Sequence, residues 1–151
     1  MTDAEKSSLK ILLVEDTPGD VRLIAEGFKR THLEPVFDVV SDGEEALKVL
    51  LSEKTSQTKL PDLILLDLNL PLVSGHEVLK QIKNNKELRE IPVVILTSSL
   101  LEDDITKARS NRANLYVIKP INLNEYFESI LKIERFWQDF RDTKKGFPKN
   151  N

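Results

Sequence analysis

The stretch Ile11-Leu12-Leu13-Val14-Glu15-Asp16 places four apolar residues directly before two carboxylates. An uninterrupted apolar run of this kind is typical of a strand buried on both faces, as in a parallel sheet covered by helices. Comparable, mostly apolar runs recur at residues 36–40, 63–66, 93–96 and 115–118. The sequence therefore predicts a sheet of five strands.

Helix-period patterns fill the intervals between these runs. Pro18 suits the first turn of a helix and Asp42 suits an N-cap, so each marks a helix start. Helices four and five are predicted over residues 102–109 and 123–140. Because strands alternate with helices along the chain, the sequence predicts an α/β doubly wound fold. The inward-facing residues of the first three helices are predicted to be Val21, Ile24, Ala25 and Phe28, then Ala46, Leu47, Leu50 and Leu51, then Val78, Leu79 and Ile82 before the stop at Asn84-Asn85.

The composition is that of one globular domain. The chain has 151 residues, of which 22 are basic and 25 acidic, and its formal net charge is -3. That balance argues against non-specific nucleic-acid binding and against a polybasic membrane anchor. The lack of cysteine excludes disulfides and thiolate metal sites, and the polar N-terminus is unlike a secretory signal. We expect a cytoplasmic protein with an N-terminal arm (1–9), one domain (10–140) and a C-terminal tail (141–151).

Polar side chains stand at the ends of most of the predicted strands. Parallel strands place their carboxyl ends at one edge of the sheet, which is where open α/β sheets bind ligands. Taken singly, an acid after a strand is usually a loop residue or a helix cap, and a lysine is usually solvated. The whole set is far harder to attribute to chance. We therefore expect a functional cluster made of Glu15, Asp16, Asp67, Thr97 and Lys119, with Ser98 next to Thr97 at the end of the fourth strand.

Carboxylates crowded at one edge repel one another unless a cation lies among them. Oxygen ligands without imidazole or thiolate favour Mg²⁺, which binds a few carboxylates and keeps several waters. A carboxylate beside such an ion can attack phosphorus and form an acyl phosphate, and Asp67 is the candidate nucleophile. The metal ion, Lys119 and Thr97 would then neutralise the phosphoryl oxygens.

These residues and their order resemble those of the receiver domain of two-component response regulators, the CheY-like fold. The resemblance extends over about residues 10–137. It implies a flavodoxin-like sheet of five parallel strands in the order 2-1-3-4-5, flanked by five helices. The matching features are Glu15-Asp16, Asp67, Thr97, Lys119-Pro120, the turn residues Pro71 and Gly75, and Tyr116 shortly before the lysine.

The resemblance implies that Asp67 accepts a phosphoryl group from a histidine kinase. Asp16 would bind Mg²⁺ directly, Glu15 would act through water, and the backbone carbonyl of Asn69 would complete the protein ligands beside Asp67. Lys119 would pair with the phosphoryl group. The protein would not be an enzyme, because the only chemistry would be the metal-assisted phosphorylation and dephosphorylation of its own aspartate.

The resemblance further implies a switch made of Thr97 and Tyr116. The hydroxyl groups of Thr97 and Ser98 would contact the phosphoryl group, and the movement of Thr97 would open space into which Tyr116 turns. The peptide bond before Pro120 would be cis, as is common in the family.

The last predicted helix has more apolar surface than one covered face requires. An exposed apolar arc often marks an interface. We therefore expect a homodimer or partner contact at the face of the fourth and fifth helices. The alternatives are that the C-terminal tail folds back over this arc or that the end of the helix covers the base of the sheet. The stripe suited to covering the sheet is Leu123, Phe127, Ile130 and Trp137, and the neighbouring arc predicted as the interface is Tyr126, Ile133, Phe136 and Phe140.

Partners are predicted from the length of the chain and from its resemblance. The segment after residue 140 is too short for a DNA-binding module, so we expect the signal to pass to a downstream protein or phosphotransfer partner. Within the family, the chain resembles the stand-alone regulators served by bacterial and cyanobacterial phytochromes, at residues 96–99, 102–104 and 133–137 and in the connector before Leu60. A phytochrome-type histidine kinase is therefore the expected phosphoryl donor.

Two other functions stay open from the sequence. A receiver fold that carries no phosphoryl group would serve only as a docking module. A haloacid-dehalogenase-type phosphatase also combines a nucleophilic aspartate with Ser/Thr, lysine and Mg²⁺. Such an enzyme needs a second aspartate as general acid where this chain has Asn69, and an amide cannot donate that proton.

Overall fold

Strands and helices alternate along the chain. The computed structural model describes residues 9–54 and 58–144. None of the helices in these ranges is both long enough and apolar enough to cross a bilayer. The strands are β1 (Lys10–Val14), β2 (Val36–Val40), β3 (Leu63–Leu66), β4 (Val93–Thr97) and β5 (Leu115–Ile118). The helices are α1 (Pro18–Phe28), α2 (Gly43–Leu51), α3 (Gly75–Lys83), α4 (Glu102–Ser110) and α5 (Leu123–Lys144), which confirms the predicted fold class.

All five strands run parallel in a single sheet, in the order β2-β1-β3-β4-β5. The order expected from the family resemblance is thereby confirmed. Val14 pairs with Val40 on one side and with Leu66 on the other, and Leu66 pairs in turn with Ile95 of β4. The carboxyl ends of the central strands therefore reach the same edge of the sheet, and the residues that follow them meet there.

Helices cover both faces of the sheet, and alternate strand residues point to opposite faces. Leu12 and Val14 pack in a core with residues of α2 and α3, whereas Ile11 and Leu13 pack with residues of α1 and α5. Strands β1, β3 and β4 are buried along nearly their whole length, which is why their sequences are continuous apolar runs. Strand β2 lies at the edge of the sheet and exposes most of its residues.

Local sequence signals set the start of two helices. Pro18 opens α1, where its missing N–H would have had no helical partner. The side chain of Asp42 accepts a hydrogen bond from the backbone N–H of Glu45 at 2.7 Å and caps α2. Helix α5 includes Lys144, the last described residue, so residues 141–144 of the predicted tail are helical. Residues 1–8 of the predicted arm and 145–151 of the tail lie outside the described residues.

Two leucines predicted to face inward are exposed. Leu51 is the last residue of α2 and Leu123 is the first residue of α5, and their exposed fractions are 53% and 52%. The prediction was wrong for both because helical periodicity gives the side of a helix but not where its ends leave the sheet. The last buried residue of α2 is Leu50, directly before Leu51, and the first buried residue of α5 is Tyr126, one turn after Leu123.

The buried face of α5 differs from the predicted one. Tyr126, Ile130 and Ile133 are all buried and follow the spacing of one helix face. The prediction that Tyr126 and Ile133 belong to an intermolecular interface is therefore wrong, because both pack in the core that α5 forms with the sheet. Phe136 and Phe140 are only partly buried, and their stacked rings have centroids 6.0 Å apart.

Candidate functional site

Lys119 follows β5 and lies at the centre of the acidic cluster. Its backbone N–H donates to the carbonyl oxygen of Thr97 at 2.8 Å, which continues the ladder between β4 and β5. Its Nζ atom lies 2.6 Å from Glu15 Oε1, 2.9 Å from Asp67 Oδ2 and 3.2 Å from Asp20 Oδ2. The lysine side chain is only 8% exposed, so one buried ammonium group contacts three carboxylates.

The two carboxylate oxygens of Asp67 have different partners. The residue follows β3, and its backbone N–H donates to the carbonyl oxygen of Val14 at 3.1 Å, which fixes it beside the end of β1. Oδ1 accepts a hydrogen bond from the backbone N–H of Asn69 at 3.2 Å, and Oδ2 contacts Lys119. The carboxylate is therefore held on both sides and is largely buried.

Glu15 and Asp16 follow β1 directly and differ in exposure. Glu15 is buried, and its Oε2 accepts a hydrogen bond from the backbone N–H of Thr17 at 3.1 Å while Oε1 contacts Lys119. Asp16 is exposed. One carboxylate oxygen from each of Glu15, Asp16 and Asp67 lies within 4.8 Å of the other two. The structure thus brings together the three carboxylates that the sequence placed at the strand ends.

The cluster carries an excess of negative charge. Burial lowers the pKa of Lys119, but the hydrogen bonds and charges of Glu15 and Asp67 outweigh burial and raise this pKa above its usual value. The ammonium group is therefore charged at neutral pH. Burial raises the pKa of Glu15, and Lys119 opposes that rise. Hard oxygen donors with unbalanced negative charge suit a divalent cation, so Glu15, Asp16 and Asp67 fit such an ion.

Asp20 is a site residue that is not among those predicted from the sequence. It lies in the first turn of α1, where an acidic residue is already explained by the helix dipole. Its Oδ2 contacts Lys119, and its Oδ1 accepts a hydrogen bond at 3.0 Å from the hydroxyl of Tyr126. Burial and the charge of Asp20 raise the pKa of Tyr126, so the hydroxyl stays protonated and can donate. The available sequence signal was the position of Asp20 one helical turn beyond Asp16.

The predicted switch residues meet at the loop that follows β4. Thr97 is fully buried, and its Oγ1 accepts a hydrogen bond from the backbone N–H of Ser99 at 3.4 Å. The hydroxyl of Tyr116 donates to the carbonyl oxygen of Ser99 at 3.0 Å. Ser98 is exposed at the start of the same loop. Ser99 therefore connects Thr97 to Tyr116, and the contacts of Thr97 and Ser98 with a phosphoryl group stay a prediction.

Residues 11–131 match the family model of the response regulator receiver domain. That range contains the whole acidic cluster, the lysine and both residues of the predicted switch. The chain belongs to the response regulator receiver family. Receiver-domain response regulators are in general not conventional enzymes.

Three relatives show how far the similarity to other response regulators extends. The probable methanogenesis regulatory protein FilR2 of Methanothrix harundinacea is 42% identical over 127 residues, which are 84% of this chain and 82% of FilR2. The response regulator Rcp1 of Synechocystis sp. is 40% identical over 138 residues, which are 91% of this chain and 94% of Rcp1. The phosphorylated cyanobacterial phytochrome response regulator RcpA has a crystal structure with a TM-score of 0.81 and 42% identity, covering 87% of this chain and 95% of RcpA.

A Mn²⁺-bound crystal structure of Rcp1 also matches this receiver domain. Its TM-score is 0.78 at 41% identity, and the match covers 85% of this chain and 93% of the Rcp1 chain. The resemblance to response regulators of cyanobacterial phytochromes, expected from the sequence, is confirmed by these relatives. The metal ion of Rcp1 agrees with the fit of a divalent cation to the acidic cluster of this receiver.

The turn after β3 depends on a close approach of two backbone segments in this receiver. Gly75, the first residue of α3, donates its N–H to the carbonyl oxygen of Leu68 at 3.0 Å. A Cβ atom at Gly75 would lie 2.2 Å from the carbonyl oxygen of Asp67. Glycine is therefore required for α3 to begin against the backbone of this aspartate. The carbonyl oxygen of Pro71 accepts a hydrogen bond from the N–H of Val73 at 2.8 Å and shapes the same turn.

The expectation of a cis peptide bond before Pro120 is wrong. None of the peptide bonds of the described residues is cis. With a trans bond, Lys119 both continues the β4–β5 ladder and reaches Asp67, so the position of the lysine does not need the cis isomer. The trans isomer is also the one that an X–Pro bond prefers.

We expect Gly75→Ala to destabilise the receiver by about 2 kcal/mol, because its methyl group would collide with the backbone of Asp67 and force a shift. The displacement of Asp67 should also weaken Mn²⁺ binding, measured by titration with electron paramagnetic resonance. Gly19→Ala is the matched control, since a Cβ atom there meets nothing within 4 Å. Wild-type stability and wild-type Mn²⁺ affinity in Gly75→Ala would contradict this account of the turn.

Proposed function

We propose that the chain accepts a phosphoryl group in a two-component phosphorelay and that Asp67 is the acceptor. The observation that carries this proposal is the contact between the Lys119 ammonium group and Asp67 Oδ2, 2.9 Å apart at the buried strand ends. Phosphoryl transfer to a carboxylate needs a nucleophile, a positive group for the phosphoryl oxygens and donors for a metal ion. The side chains around Asp67 offer all three, and membership of the receiver family supports the same role.

In the proposed reaction, a carboxylate oxygen of Asp67 attacks the phosphorus of a phosphohistidine. The new oxygen–phosphorus bond forms as the nitrogen–phosphorus bond breaks, and the imidazole leaves with that electron pair. Lys119 stabilises the negative charge of the transferred group, because its ammonium already lies within hydrogen-bond distance of the acceptor. Thr97 and Ser98 are the proposed hydroxyl partners of the phosphoryl oxygens. Attack by water on phosphorus then restores the carboxylate and releases inorganic phosphate.

Mg²⁺ is the metal ion that we propose for this receiver, held by Asp67, Asp16 and the backbone carbonyl of Asn69. Asp16 is the exposed carboxylate of the cluster and is proposed as a direct ligand. Glu15 is already bonded to Lys119 and is proposed to act through water. Hard carboxylate oxygens suit Mg²⁺ and Mn²⁺ alike, and Rcp1 has been crystallised with Mn²⁺. When bound, the ion supplies positive charge for the phosphoryl oxygens.

The two alternatives raised by the sequence are less well supported. A haloacid-dehalogenase-type phosphatase needs a general acid at the position of Asn69, and an amide cannot serve as one. The chain also matches the receiver family instead. A docking module that carries no phosphoryl group would not need the complete set of acceptor, lysine and metal-binding carboxylates. We assign to the protein only the phosphorylation and dephosphorylation of its own aspartate.

A histidine kinase of the phytochrome type is the donor that we propose. RcpA is a phytochrome response regulator, and it shares 42% of aligned residues with this chain. A kinase that reaches Asp67 must contact the loops around the strand ends, and apolar side chains there suit a protein partner. The proposed location is the cytoplasm, where the kinase has access to ATP. The exposed apolar residues there are Leu72, Leu100, Leu101 and Ile121 on the loops and Leu123 at the start of α5.

Incubation with acetyl phosphate and Mg²⁺ should add one phosphoryl group to the chain, measured as a mass increase of the intact protein. Asp67→Asn should abolish the increase, because the neutral amide is a poor nucleophile. Asp62→Asn is the matched control. This exposed aspartate directly precedes β3, whereas Asp67 directly follows it, so the variant should leave the increase unchanged. A mass increase retained in Asp67→Asn would contradict the proposal, and a wild-type chain without any increase would favour the docking module.

The same assay with ATP and purified histidine kinases identifies the donor. A phytochrome-type kinase should phosphorylate the chain faster than kinases with other sensor domains do. Equal rates from all kinases would contradict the phytochrome partner, although Asp67 would still be the acceptor. The Asp67→Asn variant serves again as the control for the site of transfer.

We also propose a homodimer at the face formed by β5 and α5. A groove there is lined by Tyr116 and Phe136 together with residues of both charges, namely Glu125, Glu128, Lys132 and Arg135. Strand β5 is at the edge of the sheet, so its outer side pairs with no other described strand. A second copy related by a twofold axis could place the acidic residues of one groove against the basic residues of the other. Phe136 and Phe140 would supply the apolar part of the contact.

Tyr116 connects this face to the acceptor site. Its side chain lines the groove, and its hydroxyl donates to Ser99, whose N–H donates to Thr97. We infer that movement of Thr97 toward a phosphoryl group displaces Ser99 and with it Tyr116. Phosphorylation would then change the surface that a second copy or a downstream protein binds.

Sedimentation velocity should show that Phe136→Glu/Phe140→Glu is a monomer where the wild-type chain is a dimer, because charged side chains would be buried in the contact. Val36→Glu/Val39→Glu introduces the same charges at the exposed opposite edge strand and should leave the dimer intact. Circular dichroism confirms that each variant is folded. A dimer that persists in Phe136→Glu/Phe140→Glu, or a wild-type chain that is monomeric with and without acetyl phosphate, would contradict the proposed interface.

A further inference from the structure

Three side chains form a hydrogen-bonded link between α3 and α4. His76, in the first turn of α3, has its Nε2 atom 2.8 Å from Oδ1 of Asp104, in the first turn of α4. Oδ2 of Asp104 accepts a hydrogen bond from the hydroxyl of Ser99 at 2.5 Å. The link therefore joins the helix that follows Asp67 to the loop that follows β4.

The two ring nitrogens of His76 have different surroundings. Nδ1 is buried and has no hydrogen-bond partner among the described residues, whereas Nε2 lies at hydrogen-bond distance from Asp104 and can donate to its carboxylate. Hydrogen bonds from Ser99 and His76 hold the pKa of Asp104 below its usual value, and this carboxylate is therefore ionised at neutral pH. The side chains of His76 and Asp104 are 15% and 24% exposed, so solvent weakens the link only in part.

Ser99 joins this link to the proposed switch. Its carbonyl oxygen accepts the hydroxyl of Tyr116, and its N–H donates to Thr97. Its hydroxyl donates to Asp104 and accepts a hydrogen bond from the N–H of Leu101 at 3.3 Å. The bond to Asp104 is charged and is the shortest of these contacts, so it has the largest part in fixing the orientation of Ser99.

We propose that His76 and Asp104 are positioning residues for Tyr116. By holding Ser99, they fix the carbonyl oxygen to which the tyrosine hydroxyl donates, so that Tyr116 keeps this orientation without a phosphoryl group. The inference rests on the proposed role of Tyr116 as a switch and adds a second control of that switch, from α3. A change at α3 would then reach the β5–α5 face independently of Thr97.

The contacts of Asp104 are more than the usual interaction of an acidic residue with the start of a helix. Glu102 and Asp103 also lie in the first turn of α4 and interact favourably with the helix dipole. Asp104 differs from both because it is partly buried and bonded to His76 and Ser99. Exposed Asp103 is therefore a matched control for the charge and helix position of Asp104.

Labelling with 3-fluorotyrosine tests the proposal, because the chain contains 2 tyrosines and gives one ¹⁹F resonance for each. Tyr126 is buried and bonded to Asp20, so its resonance reports whether the fold is intact. Asp104→Ala and His76→Leu should move the Tyr116 resonance toward the position of a solvent-exposed tyrosine. The ratio of bonded to unbonded Tyr116 should fall about fivefold, which is the effect of one hydrogen bond of ordinary net strength.

Two control variants separate positioning from a general structural effect. Asp103→Ala removes the same charge from the same turn and should leave the Tyr116 resonance unchanged. His76→Gln keeps an N–H donor for Asp104 and should restore most of the wild-type ratio. An unchanged Tyr116 resonance in His76→Leu and Asp104→Ala, with Tyr126 intact, would overturn the inference, as would an equal shift in Asp103→Ala. If Asp104→Ala does not fold, the comparison of His76→Leu with His76→Gln decides.

Phosphorylation of the same samples by acetyl phosphate and Mg²⁺ separates this inference from the proposed function. Asp104→Ala should still accept a phosphoryl group, because Asp67, Lys119 and the metal-binding carboxylates are unaltered. A wild-type chain that is not phosphorylated, but whose Tyr116 resonance responds to Asp104→Ala, would contradict the proposed function and support the link. A chain that is phosphorylated, but whose Tyr116 resonance is unchanged by Asp104→Ala, would support the proposed function and contradict the link.

Discussion

One buried ammonium group holds the strand ends of this receiver together. Lys119 Nζ lies within 3.2 Å of carboxylate oxygens from Glu15, Asp20 and Asp67, which belong to separate segments of the chain. Carboxylates this close to one another cannot all stay ionised away from water unless a cation is shared among them. Without the lysine, the segments after β1 and β3 would have to separate or take up protons. The charge that the ammonium leaves unbalanced is what suits the site to a divalent ion.

The sheet topology makes this arrangement possible. Strands β1 and β3 are neighbours, so Glu15 and Asp67 are adjacent by register alone. Strand β5 lies on the far side of β4, and the long stem of Lys119 crosses that distance while its backbone stays bonded to Thr97. The buried apolar side chains of the central strands hold the sheet in place, and the charged groups lie at its edge. The hydrophobic effect therefore fixes the positions between which the electrostatic interactions act.

The strands could be predicted from the sequence, because buried parallel strands have continuous apolar runs. The cluster of carboxylates around Lys119 could also be predicted, because parallel strands end at one edge of the sheet. The role of Asp20 could not be predicted from the sequence. An acidic residue in a first helical turn is already explained by the helix dipole, and its partners Lys119 and Tyr126 are remote in the chain. The buried face of α5 was misassigned because two neighbouring apolar arcs have the same periodicity, and only packing against the sheet selects Tyr126 and Ile133. The link from α3 to α4 joins residues 28 apart and depends on how the two helices pack.

Nuclear magnetic resonance of lysine ammonium groups measures the interaction at the centre of this site most directly. In mildly acidic solution, ¹H–¹⁵N spectra retain the ammonium groups whose protons exchange slowly with water. Lys83 is an internal reference, because it is buried among three carbonyl oxygens and its pKa, lowered by burial, is still about 8. We predict a slowly exchanging Lys119 signal that is missing in Lys119→Arg and shifts in Asp67→Asn. A Lys119 signal that exchanges as fast as that of exposed Lys48, with the Lys83 signal intact, would contradict the shared ammonium group.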